Sequence, residues 1–124
     1  MLEIRTDLPE VWGGGTTGVE RVDVRILDEF VPQWGRYALK VDAQGFDGEV
    51  VEGGTEFLGG ASVVEMELSP REVYKDQMLM LDIMQAMESF GLTLAAIGHA
   101  YTLPTGQSLQ FNGIFVRQER LSRG

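Results

Sequence analysis

Chemistry has few places to start in this chain. His99 is the only histidine and cysteine is absent. Any histidine-centred proton transfer or Ser-His-Asp triad therefore runs through His99, two residues before Tyr101. No serine stands in a Gly-x-Ser-x-Gly elbow to use it. The reading places His99 on a strand beside a turn, as a structural or surface residue and as the one candidate for catalysis. Without cysteine, disulfides, thiolate metal sites and cysteine nucleophiles are excluded, and a single histidine leaves too few ligands for structural zinc. Asp42 and Asp47 are not followed by the alternating ligands and distal Glu of a calcium loop. The Gly-rich stretch 13–18 lacks the Gly-Lys-Ser/Thr ending of a phosphate loop and leads into a strand pattern. The expectation is no metal and no cofactor.

Carboxylates are the abundant resource. Between Lys40 and Arg71 there is no basic residue, yet Asp42, Asp47, Glu49, Glu52, Glu56, Glu65 and Glu67 all fall there. A pair among Asp42, Asp47, Glu49 and Glu52 could do acid–base work, but in a chain of net charge −9 these residues first read as a solvated face. Beyond that, they suit a basic protein partner, or the tail of another copy bearing Arg117, Arg120 and Arg123. The same charge argues against nucleic acid and anionic membrane as partners. Asp76 reads as a carboxylate at a helix edge reaching a strand Arg or Lys.

Apolar candidates for a contact surface are two. Phe57 and Leu58 lie between two Gly-Gly pairs, in a segment expected to be a loop or short strand that orders against a partner. Tyr74, Met78 and Leu81 fall off the main apolar arc of a helical pattern, forming a strip suited to a dimer or partner contact. The predicted partner-binding set is thus Asp42, Asp47, Glu49, Glu52, Glu56, Phe57, Leu58, Tyr74, Met78 and Leu81.

The elements that would position these residues follow from periodicity. Ser69-Pro70-Arg71-Glu72 combines an N-cap, a first-turn proline and a capping-box acid, and Gly91 suits a left-handed C-terminal cap. The pattern between them predicts one amphipathic helix over 69–91, around which the fold is organised. Residues 19–27 alternate as a half-buried antiparallel strand, and 36–43 as a second. Asp47-Gly48 predicts a hairpin back into 49–52. Val64, Met66 and Leu68 mark a strand at 61–68. The continuous apolar run 92–97 predicts a strand buried on both sides or central in the sheet. Pro104-Thr105-Gly106 turns it into a return strand over 107–117 with Leu109 and Phe111 inward, and facing Gly98 and Gly113 suggest a bulge. A short edge strand at 2–5 and a frayed tail at 118–124 complete the chain.

The predicted fold class is α+β: one domain over 1–124 with an antiparallel sheet of five to six strands and one helix packed on it, in the order β-β-β-β-α-β-β. No apolar run reaches membrane-spanning length. No secretory signal is read at the N-terminus, and the expected location is cytoplasmic. The expected function is that of a small acidic, non-enzymatic interaction or accessory protein, of the chaperone, immunity or phage-inhibitor kind, expected as a homo-oligomer. Two alternatives stand beside it: a structural subunit of a ring or shell, and a small-ligand binder or enzyme with its site near His99 and Tyr101.

Overall fold

Alternation of Val64, Met66 and Leu68 with Val63, Glu65 and Glu67 forms strand β2 (Val63–Leu68), its first set fully buried. The computed structural model describes residues 18–118. In it β2 pairs in parallel with β1 (Ala38–Val41) and antiparallel with β4 (Ser108–Arg117), and the far edge of β4 carries β3 (Leu92–Thr102). The strand order is β1-β2-β4-β3. Three helices, α1 (Asp47–Glu52), α2 (Thr55–Gly60) and α3 (Met80–Ser89), supply Val51, Leu58, Ile83 and Met87 to the core formed with Val41, Val64, Met66, Leu68, Leu92 and Phe115.

The class is α+β. Among the described residues, the expected antiparallel sheet of five or six strands with a single helix is corrected to a mixed sheet of four strands with three α-helices. The change originates in residues 47–60. Parallel neighbours need a crossover, and the chain supplies one by folding α1 and α2 where a hairpin was expected. Val50, Val51, Gly54, Phe57, Leu58 and Ala61 recur at helical spacing, and all but half-buried Val50 are buried.

Residues 18–26 form neither helix nor strand among the described residues, which corrects the strand expected at 19–27; Val22 and Val24 are 67% and 89% exposed. The reason lies just downstream. A 3-10 turn at Leu27–Phe30 docks on the helices: the Asp28 carboxylate accepts hydrogen bonds from the N–H groups of Phe57 (2.8 Å) and Glu56 (3.2 Å), and from Thr55 Oγ1 (3.4 Å). Asp28 thus caps α2 in place of Gly54, which has no side chain to do so. Its own N–H donates to Gly53 O at 2.9 Å. The preceding residues are thereby drawn to the helical side.

The long helix expected over 69–91 begins only at Met80. Gln77 is buried and its Oε1 accepts from the N–H groups of Val73 and Tyr74, the side-chain competition that opposes helix formation. Val73 packs with Leu103 and Leu109 in a second small cluster over the β3–β4 turn, with Tyr74 and Tyr101 against it. Asp76 adopts φ +60° in an exposed turn, not a helix edge. Gly91, at φ +79°, does close α3 in the left-handed region.

Among the described residues β3 is an edge strand, and its residues 95–100 are exposed, so its apolar run is not the doubly buried centre that continuity suggested. The Pro104-Thr105-Gly106 turn forms as read, closed by Leu103 N–H to Gln107 O at 2.8 Å. At the other end of the hairpin, Arg117 donates to three backbone carbonyls: Leu58 (2.8 Å), Ala61 (2.8 Å) and Phe90 (2.7 Å). These belong to the C-terminal ends of α2 and α3, where carbonyls lack intrahelical partners and the helix dipoles favour a cation. Residues 2–5, 13–17 and 119–124 lie outside the described residues.

Candidate functional site

The sheet face turned away from the core carries Lys40 on β1, Val63, Glu65 and Glu67 on β2, and Val116, Ile114 and Asn112 directly opposite them on β4. At the end of this face towards the β3–β4 turn lies a cleft of about 180 Å³ lined by Gln44, Glu67, Tyr74, Ala100, Tyr101 and Gln110.

Each lining residue arrives by a separate local cause. Glu67 follows from strand alternation. Gln110 occupies the same face of β4 and is 5% exposed. Tyr101 comes there through a bulge: the pairing of β3 with β4 slips between His99 and Tyr101, placing His99 opposite Phe111 and Tyr101 opposite Gln110. Gln44 sits in the turn after β1 at φ +46°, followed by Gly45 at φ +102°. This left-handed pair is unusual for a side chain as long as glutamine. The Tyr74 hydroxyl donates to Gln44 Oε1 at 3.3 Å, closing the rim.

The electrostatics are one-sided. Asp42 directly follows Val41, whose partner is Met66, so it continues β1 alongside Glu67. Burial holds the Glu67 carboxyl above its ordinary range; Asp42 and Asp47 push it further, and Lys40 opposes them. Burial likewise raises the Tyr74 phenol, followed by the charges of Glu67, Asp42 and Asp47. Asp47 is 3% exposed. Its Oδ2 accepts from Gly45 N–H at 3.3 Å, while Oδ1 has no hydrogen-bond partner among the described residues. Burial raises this carboxyl, against the pull of backbone N–H groups led by that of Gly45.

A raised acid pKa means that the folded state holds the proton more tightly than the unfolded chain. The stability from Asp47 is therefore full below the unfolded value of 3.8 and is lost as pH rises through the folded value. Asp47→Asn is expected to be more stable than the parent at pH 7 and to lose that advantage by pH 4, measured by urea unfolding at both. A variant less stable at pH 7 would show that ionised Asp47 is compensated in the fold.

The residues predicted from sequence separate into groups. Tyr101 and Tyr74 line the cleft, Asp42 is exposed at its edge, and Asp47 is buried behind it. His99 is exposed and bonded to the Thr102 hydroxyl, outside the cleft lining. Glu49, Glu52 and Glu56 are exposed on α1 and α2. Phe57 and Leu58 are core residues, Phe57 meeting Tyr37 edge-on at 4.8 Å, so the expected partner-ordered loop is a packed helix. The Tyr74–Met78–Leu81 strip does not form, because no helix spans it: Met78 packs against the core while Leu81 is 74% exposed on α3. Gln44 and Gln110 were missed by sequence reasoning; alternation marks the face of Gln110 but not its burial, and nothing local marks Gln44.

Among the described residues no group of three or more His, Cys, Asp or Glu is arranged to hold a metal ion, and no helix is long and apolar enough to cross a membrane. Fold and cleft together define an α+β domain with helices on one side of a mixed sheet and an acidic, tyrosine-lined recess on the other. No family model, curated protein or solved structure matches the chain.

Proposed function

We propose that this chain is a small cytoplasmic binding protein that acts through its acidic sheet face on a basic protein partner. The observation that carries the reading is the convergence of Asp42, Asp47 and Glu67 beside an open cleft, with Lys40 opposing their effect on Glu67. Charges of one sign gathered at a concave surface steer and select a partner of the other sign. The test is binding of a labelled deca-arginine peptide, followed by anisotropy over a salt series. Affinity is expected to fall steeply with salt. The Asp42→Asn/Glu67→Gln double variant should weaken it at least tenfold, while Glu49→Gln/Glu52→Gln, equal in charge change, has little effect. Equal losses from both would mean that net charge alone is being read and would sink this site.

A second reading, assembly of several copies, is favoured by the alternating segment 18–26, which lies outside the sheet with Val22 and Val24 exposed. Unpaired strand-like segments with apolar side chains join sheet edges readily. Light scattering of the purified chain should then give a multiple of the monomer mass that Val24→Glu reduces. A monomeric parent would remove this reading.

A further inference from the structure

We propose that the cleft lined by Glu67, Gln110, Gln44, Tyr74 and Tyr101 receives the guanidinium of a single arginine side chain presented by the basic partner. This rests on the binding reading above and names what its recess recognises.

Size sets the first limit. The cleft has a volume of about 180 Å³. It falls below the roughly 300–1,000 Å³ of sites that enclose drug-sized ligands. One side-chain head with a methylene or two fits; a nucleotide or an extended cofactor does not.

Charge sets the second. Glu67 is the one ionisable carboxylate among the lining residues, and Asp42 and Asp47 act on it from beside the cleft. An anionic ligand would meet all three, whereas a cation is favoured by all three.

Hydrogen bonding supplies the third, independent observation. Gln110 is almost entirely buried yet lines the cleft, and its side chain has no hydrogen-bond partner among the described residues. Its amide atoms keep contact with the open cleft, where a ligand that enters can take the place of water as their partner. Glu67 offers two carboxylate oxygens, and the side-chain carbonyls of Gln110 and Gln44 offer further acceptors. Guanidinium presents five N–H donors in one plane and matches a carboxylate two bonds at a time. Tyrosine walls favour the same group, since guanidinium is weakly hydrated and associates with aromatic faces more readily than ammonium.

The test is a titration of the isotope-labelled protein with N-acetyl-arginine methylamide, with the citrulline analogue as neutral isostere and the lysine analogue as competitor. The arginine probe is expected to bind in the millimolar range, shifting the side-chain amides of Gln44 and Gln110 and the backbone of Tyr101. Citrulline should leave them unmoved and lysine should bind more weakly. Glu67→Gln should weaken the arginine probe at least tenfold. Gln110→Leu, which keeps the charge, should also weaken it, so the assignment survives misfolding of either single variant. Equal shifts with citrulline, tighter binding of lysine, or arginine shifts confined to α1 and α2 would each overturn it. If deca-arginine still distinguishes Asp42→Asn/Glu67→Gln from the control while the cleft resonances stay still, the acidic-face reading stands and the arginine recess falls.

Discussion

Arg117→Met is expected to cost about 3 kcal/mol of unfolding free energy, the largest effect of any single change outside the apolar core. The guanidinium holds the carbonyls of Leu58, Ala61 and Phe90 at 2.7–2.8 Å. Hydrogen bonds to a charged group contribute roughly 1.5–3 kcal/mol each. Arg117 is only half-buried, so water regains part of that on substitution, and about 3 kcal/mol is what remains of the sum. Methionine keeps the stem packing, which isolates the polar loss. Arg117→Lys should fall between: its charge still suits two helix C-termini, but a compact ammonium cannot reach three carbonyls as a planar fork does. Urea unfolding of the three proteins decides it. A loss below about 1 kcal/mol for methionine would mean that solvent serves these carbonyls equally well.

Gly54→Ala is the second large effect, expected at about 2 kcal/mol although alanine is ordinarily the better helix former. Backbone conformation is not the obstacle, since Gly54 has φ −127° and ψ 22°. Space is. A Cβ there would stand 2.8 Å from Val50 O and 2.7 Å from Leu27 Cδ2. The leucine can move, but the carbonyl belongs to α1, so the joint between α1 and α2 must open and disturb the Asp28 cap. Overpacking of this kind costs about 1–3 kcal/mol. Gly59→Ala, where a Cβ meets nothing within 4 Å, is the matched control and should be neutral or stabilising. Thermal unfolding of the pair reads the difference directly, and equal midpoints would remove the steric account.

Legibility in the sequence followed locality. β2 was readable because it buries one face only, leaving the alternation of Val64, Met66 and Leu68 intact. The β3–β4 turn was readable because Pro104 and Gly106 each meet a specific backbone demand. Residues 47–60 were misread because Asp47-Gly48 imitates a hairpin and the Gly-Gly pairs imitate breaks; the helical recurrence of Val50, Val51, Gly54, Phe57 and Leu58 was present beneath them. The start of α3 was misread because Val73 packs on the β3–β4 hairpin and the Gln77 side chain bonds the N–H groups of Val73 and Tyr74, in place of the helix that the Ser69–Glu72 start signals imply. The cap supplied by Asp28 acts on Phe57, 29 residues away, beyond any local pattern. Of the cleft, its acidity was readable. Its assembly was not, because the bulge that turns Tyr101 away from His99 and the left-handed Gln44 exist only in the folded sheet.

β4 lies between β2 and β3 in space but after both in the chain. A ribosome adding about 5–20 residues per second delivers all three helices and three strands before the strand that joins them. Until Ser108–Arg117 emerges, β3 has no neighbour in the sheet, β2 has only the four-residue β1, and the helix ends that Arg117 holds are unfastened. Acquisition of the native sheet is therefore tied to the emergence of β4, and a nascent chain stalled before residue 108 leaves Met66, Leu68 and Leu92 without their partners on that strand.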